Sequence, residues 1–112
     1  MSDACIVMTA IAGDHQAKAM VTAVIEARLA ACAQTIPIAS CYWWGGKVVH
    51  DSELLILFKT LAVNYPAIEA KILSLHSYDT PEIILVPVVG GLSRYLTWIE
   101  QEVGDTTGGR DG

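Results

Sequence analysis

Apolar positions change their period several times along the 112 residues, and each change predicts an element. Cys5-Ile6-Val7-Met8-Thr9-Ala10-Ile11 is short, rich in β-branched residues and followed by Gly13-Asp14, which predicts a buried, central strand. From about residue 15 to 32 the spacing becomes helical: Ala17, Met20, Val21, Val24 and Ile25 share one face, with Asp14 placed to cap the free N–H groups. Residues 34–42 return to alternation, but Pro37 lacks the N–H that a central strand donates, so this segment reads as an edge or bulged strand. Gly45-Gly46 relaxes the backbone, Lys47-Val48-Val49 resumes the strand, and His50-Asp51-Ser52 is expected to turn into Glu53-Leu54-Leu55-Ile56-Leu57-Phe58-Lys59.

The second half repeats the plan. Asn64 is expected to cap a helix with Pro66 in its first turn, and Tyr65, Ile68, Ile72 and Leu75 fall on one face. Thr80-Pro81 forbids further helix, because proline holds its predecessor in extended angles, and 82–88 reads as the last long strand. After Gly90-Gly91, Leu92, Tyr95, Leu96 and Ile99 mark a short third helix. Two βαβ halves joined by a long, kinked hairpin predict an α+β, ferredoxin-like split βαβ fold, an antiparallel sheet with helices on one face. The expected domain is 1–103. Residues 104–112 have nothing to bury and are expected to form a disordered tail.

Composition sharpens this picture in one respect. Hydrophobic residues make up 53% of the chain and charged residues only 17%, more apolar than a small monomer with its large relative surface requires. Some of that surface is expected to meet another subunit. Adjacent Trp43 and Trp44 point in the same direction, since neighbours in a strand face opposite ways and at least one would stay exposed. A net charge of -5 without a Lys/Arg cluster argues against nucleic acid. The apolar runs are strand-sized and the start lacks a basic segment, so neither a membrane span nor a secretory signal is expected. Cys5, Cys32 and Cys41 lack CxxC spacing, which fits reduced thiols in a cytoplasmic protein.

Candidate chemistry concentrates in His76-Ser77-Tyr78-Asp79-Thr80-Pro81-Glu82, an imidazole, a phenol and two carboxylates directly before a strand. The sequence has no GxSxG, GxxxxGK[ST] or HExxH signature, and no Arg near the first strand-to-helix loop to hold a phosphate. Catalysis is therefore not expected. Soft sulfur and imidazole together would favour copper. Cys32 and Cys41 read more simply as small buried hydrophobes, His15 as a first-turn surface residue and His50 as a solvated turn residue. His76 alone combines a loop with polar neighbours. Glu53 and Lys59 share a sheet face, and Lys59 with His76, Tyr78 and Glu82 would make a polar pocket.

Five blocks in register carry a resemblance. Leu29-Ala30-Ala31-Cys32, Tyr42-Trp43-Trp44-Gly45-Gly46-Lys47, Glu53 with Lys59-Thr60, His76-Ser77-Tyr78-Asp79-Thr80-Pro81-Glu82-Ile83 and Tyr95-Leu96-Thr97-Trp98-Ile99 are similar to the signature blocks of the CutA divalent-cation tolerance proteins, over residues 7–99. The resemblance implies a cytoplasmic homotrimer of ferredoxin-like subunits, assembled like the PII signalling trimers and linked to copper and divalent-cation tolerance. It implies that the hairpin pairs edge to edge with neighbours through Tyr42, Trp43 and Trp44. It also implies a ligand cleft between subunits lined by Glu53, Lys59, His76, Tyr78, Glu82 and Trp98.

The chain departs from the family at several points. Ser77 stands where members often have proline, and Met8, Lys71 and Leu75 stand where some members place cysteine, cysteine and histidine. Of a copper ligand set only His76 remains, with Met8 a softer substitute. The expected function is a trimeric sensing module for a metal ion or small ligand, with no cofactor needed for folding. The alternatives are a small enzyme using Lys59, His76 and Glu82 on an anionic substrate, or a ligand-free trimeric adaptor for a protein partner.

Overall fold

Eight residues, Ala4–Ile11, form β1, and Lys47–Leu61 form a β3 almost twice as long. The structure, a computed structural model, describes residues 3–103; the tail expected at 104–112 lies outside the described residues. Between these strands come α1 (Asp14–Glu26) and β2 (Cys32–Trp44), and after them a 3-10 turn (Ala62–Asn64), α2 (Tyr65–Leu75), β4 (Ile83–Pro87) and α3 (Ser93–Glu102). The sheet order is β2-β3-β1-β4 with every neighbouring pair antiparallel. This is the α+β, ferredoxin-like arrangement that the alternating patterns predict, and Pro37 does sit in an edge strand.

Strand alternation divides the sheet into unlike faces. Cys5, Val7 and Ile11 of β1 and Ile56 and Phe58 of β3 point under α1 and α2, where they pack with Met20, Val24, Ile68 and Ile72. The opposite face carries Ile6 and Met8, paired with Lys59 and Leu57 on one side and with Val86 and Ile84 on the other. Among the described residues only one end of it is covered, where Ile99 and Val103 close over Ala4 and Leu61. Ile36, Ile84 and Val86 remain exposed.

Three elements differ from their predicted form. First, α1 stops at Glu26 and not near residue 32. Arg28 adopts a left-handed φ of 62°, Arg28 N–H bonds to Ile25 O and Leu29 N–H to Val24 O, the closing pattern of a Schellman motif. Glycine usually fills that position, so an arginine there gives no stop signal; its guanidinium instead bonds Glu102 of α3. Second, His50-Asp51-Ser52 does not turn: β3 is continuous, paired with β2 from Cys32↔Lys59 to Trp44↔Lys47. The only reversal is at Gly45 and Gly46, with φ of 59° and 77°, the two left-handed residues that a tight two-residue hairpin requires. Third, neither expected cap is made. Asp14 is the first helical residue after Gly13, where its charge still suits the helix start, and Asn64 is buried with its amide unpaired.

The length mismatch determines the outline. β1 covers β3 only from Leu54 to Leu61, so seven β2–β3 pairs, Ile38↔Glu53 to Trp44↔Lys47, have no third strand beside them. At about 3.4 Å per residue they project roughly 23 Å as a two-stranded arm, and the molecule measures 48 × 27 × 21 Å.

The core makes a direct prediction. Phe58 is fully buried between sheet and helices, so Phe58→Ala is expected to cost about 3–5 kcal/mol, read as a lower urea midpoint. A loss under 1 kcal/mol would mean that the helices do not pack on β3 as described.

Candidate functional site

At the base of the arm, where the third strand ends, a groove of ≈ 830 Å³ opens between the hairpin and loop 76–82. Strand alternation puts Tyr42 and Asp51 on the same face, and the Tyr42 hydroxyl donates to Asp51 Oδ2 at 3.0 Å. Two residues along β3, Glu53 Oε2 accepts from the Tyr78 hydroxyl at 2.9 Å, tying the loop to the arm. Asp51, Glu53, Asp79 and Glu82 all line the groove, whose walls include Tyr42, Trp43, Trp44 and Tyr78 and, among the described residues, no Lys, Arg or His. Four carboxylates beside aromatic rings make a site for positive charge.

The loop is held by its histidine. β4 leaves β1 after the Thr9↔Ile83 pair, and His76 takes over the unpaired edge: its Nε2 lies 2.8 Å from Ala10 O. Its Nδ1 accepts the Tyr78 N–H at 3.1 Å. A carbonyl can only accept, so the proton sits on Nε2 and the tautomer is fixed by both partners. The His76 and Tyr78 rings lie 4.7 Å apart, and Ser77, in place of a proline, donates to Gln16 Oε1 of α1.

Both His76 nitrogens are therefore engaged. Met8 sits in mid-sheet between Leu57 and Ile84, and among the described residues no group of three or more His, Cys, Asp or Glu converges on a metal position. The residues do not fit a resident copper ion at His76 and Met8: the imidazole would first have to leave its backbone partners.

The predicted site residues fall into two groups within the chain. Glu53, His76, Tyr78 and Glu82 gather at the groove. Lys59 lies six residues from Glu53, about 20 Å along the strand, where its Nζ stands 5.4 Å from the Tyr95 ring centroid. Trp98 stacks on that same Tyr95 at 5.6 Å. One chain alone does not bring Lys59 to His76, which corrects the single pocket expected from topology. The residue missed was Asp51, assigned to a turn; extending the alternation of β3 back through it would have placed it beside Glu53.

Electrostatics keeps both phenols protonated. Burial, then the bond to Glu53 and the charges of Glu53 and Asp51, push the Tyr78 hydroxyl up to about 12. The bond to Asp51 raises Tyr42 above its ordinary range. Each phenol is thus a standing proton donor to a carboxylate.

Comparison with known proteins yields consistent matches. Residues 5–102 match the family described as CutA1 divalent ion tolerance protein. The divalent-cation tolerance protein CutA of Thermus thermophilus is 36% identical over 100 residues, 88% of this chain and 97% of the relative. Among solved structures, CutA1 from Oryza sativa superposes with a TM-score of 0.89 at 33% identity, covering 92% of this chain and 95% of that one. The periplasmic divalent cation tolerance protein CutA from Archaeoglobus fulgidus gives 0.88 at 29% identity, covering 90% and 99%. No helix among the described residues is long and apolar enough to cross a membrane.

The Tyr78 bond predicts an alkaline signature. A phenol raised from about 10 unfolded to about 12 folded adds stability that is complete below pH 10 and is lost as the pH climbs through 12. The stability advantage of the native chain over Tyr78→Phe should therefore shrink between those values, and a late tyrosinate absorbance step should vanish in the variant. A difference independent of pH would refute the raised hydroxyl.

Proposed function

The chain belongs to the CutA1 divalent ion tolerance family, and from that membership we propose that it works as a homotrimeric sensing module, binding a cation in clefts between subunits. The observation that carries this reading is the unfinished sheet. An apolar face bearing Ile36, Ile84 and Val86 lies open, and an unsupported arm ends in Trp43 and Trp44, 74% and 59% exposed. An isolated two-stranded ribbon is marginal in water, and bare edges invite pairing that a closed ring of copies brings to an end. Tyr42, Trp43 and Trp44 form the contact.

In this assembly the acidic groove of one copy meets the far end of a neighbour, which supplies Lys59 and Trp98 to the same cleft. The ligand is a divalent cation such as copper, or a cationic small molecule, attracted by Asp51, Glu53 and Glu82. His76 acts by holding the loop, and Met8 packs in the interface. Binding is relayed to a partner protein in the manner of PII trimers, in the cytoplasm, where the unbridged thiols Cys5, Cys32 and Cys41 stay reduced. An anionic substrate is disfavoured because every charged side chain that the described residues of one chain contribute to the groove lining is a carboxylate.

Sedimentation equilibrium should return three times the 12.0 kDa chain mass, and Trp43→Glu with Trp44→Glu should lower it. Stable, soluble single chains with wet indoles would overturn the assembly. For the ligand, calorimetric titration with Cu2+ should weaken by about tenfold in Glu53→Gln, the loss of a charge-assisted contact of about 1.5 kcal/mol. Unchanged affinity would remove the groove as the binding site.

A further inference from the structure

A second constellation, chemically unlike the carboxylates, projects from the arm on the side opposite to Tyr42 and Asp51, although Cys41 itself also borders the groove. Cys41 and His50 are directly opposed in the β2–β3 ladder, both are exposed, and Cys41 Sγ lies 3.8 Å from His50 Nε2. Neither is the residue the sequence suggests: the thiol is not a buried hydrophobe and the imidazole is not on a turn.

We propose that Cys41 and His50 form a two-residue chelate for a thiophilic transition-metal ion, of the zinc(II) or copper(I) class, on the outside of the hairpin. Geometry is the first support. Metal–sulfur and metal–nitrogen bonds of about 2.3 Å and 2.0–2.1 Å, subtending tetrahedral to trigonal angles, separate the two donors by about 3.5–3.8 Å. The observed spacing lies at the trigonal end of that range, so an ion enters with little movement of either side chain. Preorganisation is the second. The pair is held by continuous ladder pairing on both sides, Ala39↔Ser52 and Trp43↔Val48, so the backbone has already brought the donors together. Chemistry is the third: thiolate with imidazole selects zinc and copper over calcium or magnesium, whose oxygen donors lie on the other face of the arm.

Only this cysteine is suited to the role. Cys5 is buried, which raises its thiol, and Cys32 is half-covered. On binding, Cys41 gives up its S–H proton to water and His50 presents the Nε2 lone pair, with its own proton on Nδ1; water completes the shell. The site is contained in one chain and does not depend on the trimer or on the acidic groove.

The test titrates the full-length, reduced protein with Cd2+ and follows the thiolate-to-metal charge-transfer absorbance, with Zn2+ competition giving relative affinity. One equivalent per chain should develop the band. Cys41→Ser should abolish it, and His50→Gln should weaken binding at least tenfold, while Cys32→Ser leaves it unchanged. Circular dichroism on each variant checks the fold, which the exposed Cys41 and His50 do not support. If His50→Gln binds as tightly as the native chain, the thiol captures metal alone and the chelate is refuted; a band that survives Cys41→Ser refutes it equally.

Discussion

A strand of fifteen residues laid against one of eight is the constraint on which this molecule is built. Over Leu54 to Leu61, β3 is a central strand with neighbours on both sides; from Lys47 to Glu53 it has β2 alone. Backbone hydrogen bonds along the arm satisfy one edge of each strand and leave the other open. The hydrophobic effect acts in the same sense, because α1 and α2 bury one face of the sheet while α3 reaches only an end of the other. A single copy therefore presents unpaired edges, apolar side chains and two indoles at once.

The same mismatch creates the chemistry. Where β1 and β4 give out, Ala10 O would be an orphan, and His76 supplies the missing donor. That anchor fixes loop 76–82 close enough to the arm for Tyr78 to reach Glu53. Two phenol–carboxylate bonds then hold Asp51 and Glu53 without cancelling their charge, as a lysine would. The groove stays negative and preorganised. The histidine that most resembles a ligand is a brace, and the histidine that resembles surface filler faces a thiol.

The arm separates two donor types by the simplest device available. Odd-numbered positions of β2 carry Cys41 and Trp43 on one side, and even-numbered positions carry Tyr42 and Trp44 on the other. The carboxylates of Asp51 and Glu53 project on the Tyr42 side, and the sulfur–imidazole pair of Cys41 and His50 projects on the other.

Element types were legible along the chain because each rests on local periodicity: residues 5–11 alternate and bury, Ile68 and Ile72 recur at helical spacing, and Pro37 marks an edge. The family was legible too, through blocks whose order and spacing the fold preserves. Element ends were less so, since the stop after Glu26 depends on an arginine in a glycine's conformation and on Leu29 O accepting from Thr60. Asp51 and the Cys41–His50 pair were invisible as sites, because which residues oppose one another is a matter of register. Local sequence thus determined the strands and helices; only tertiary pairing decided which donors meet, because register and strand overhang arise between segments far apart in the chain.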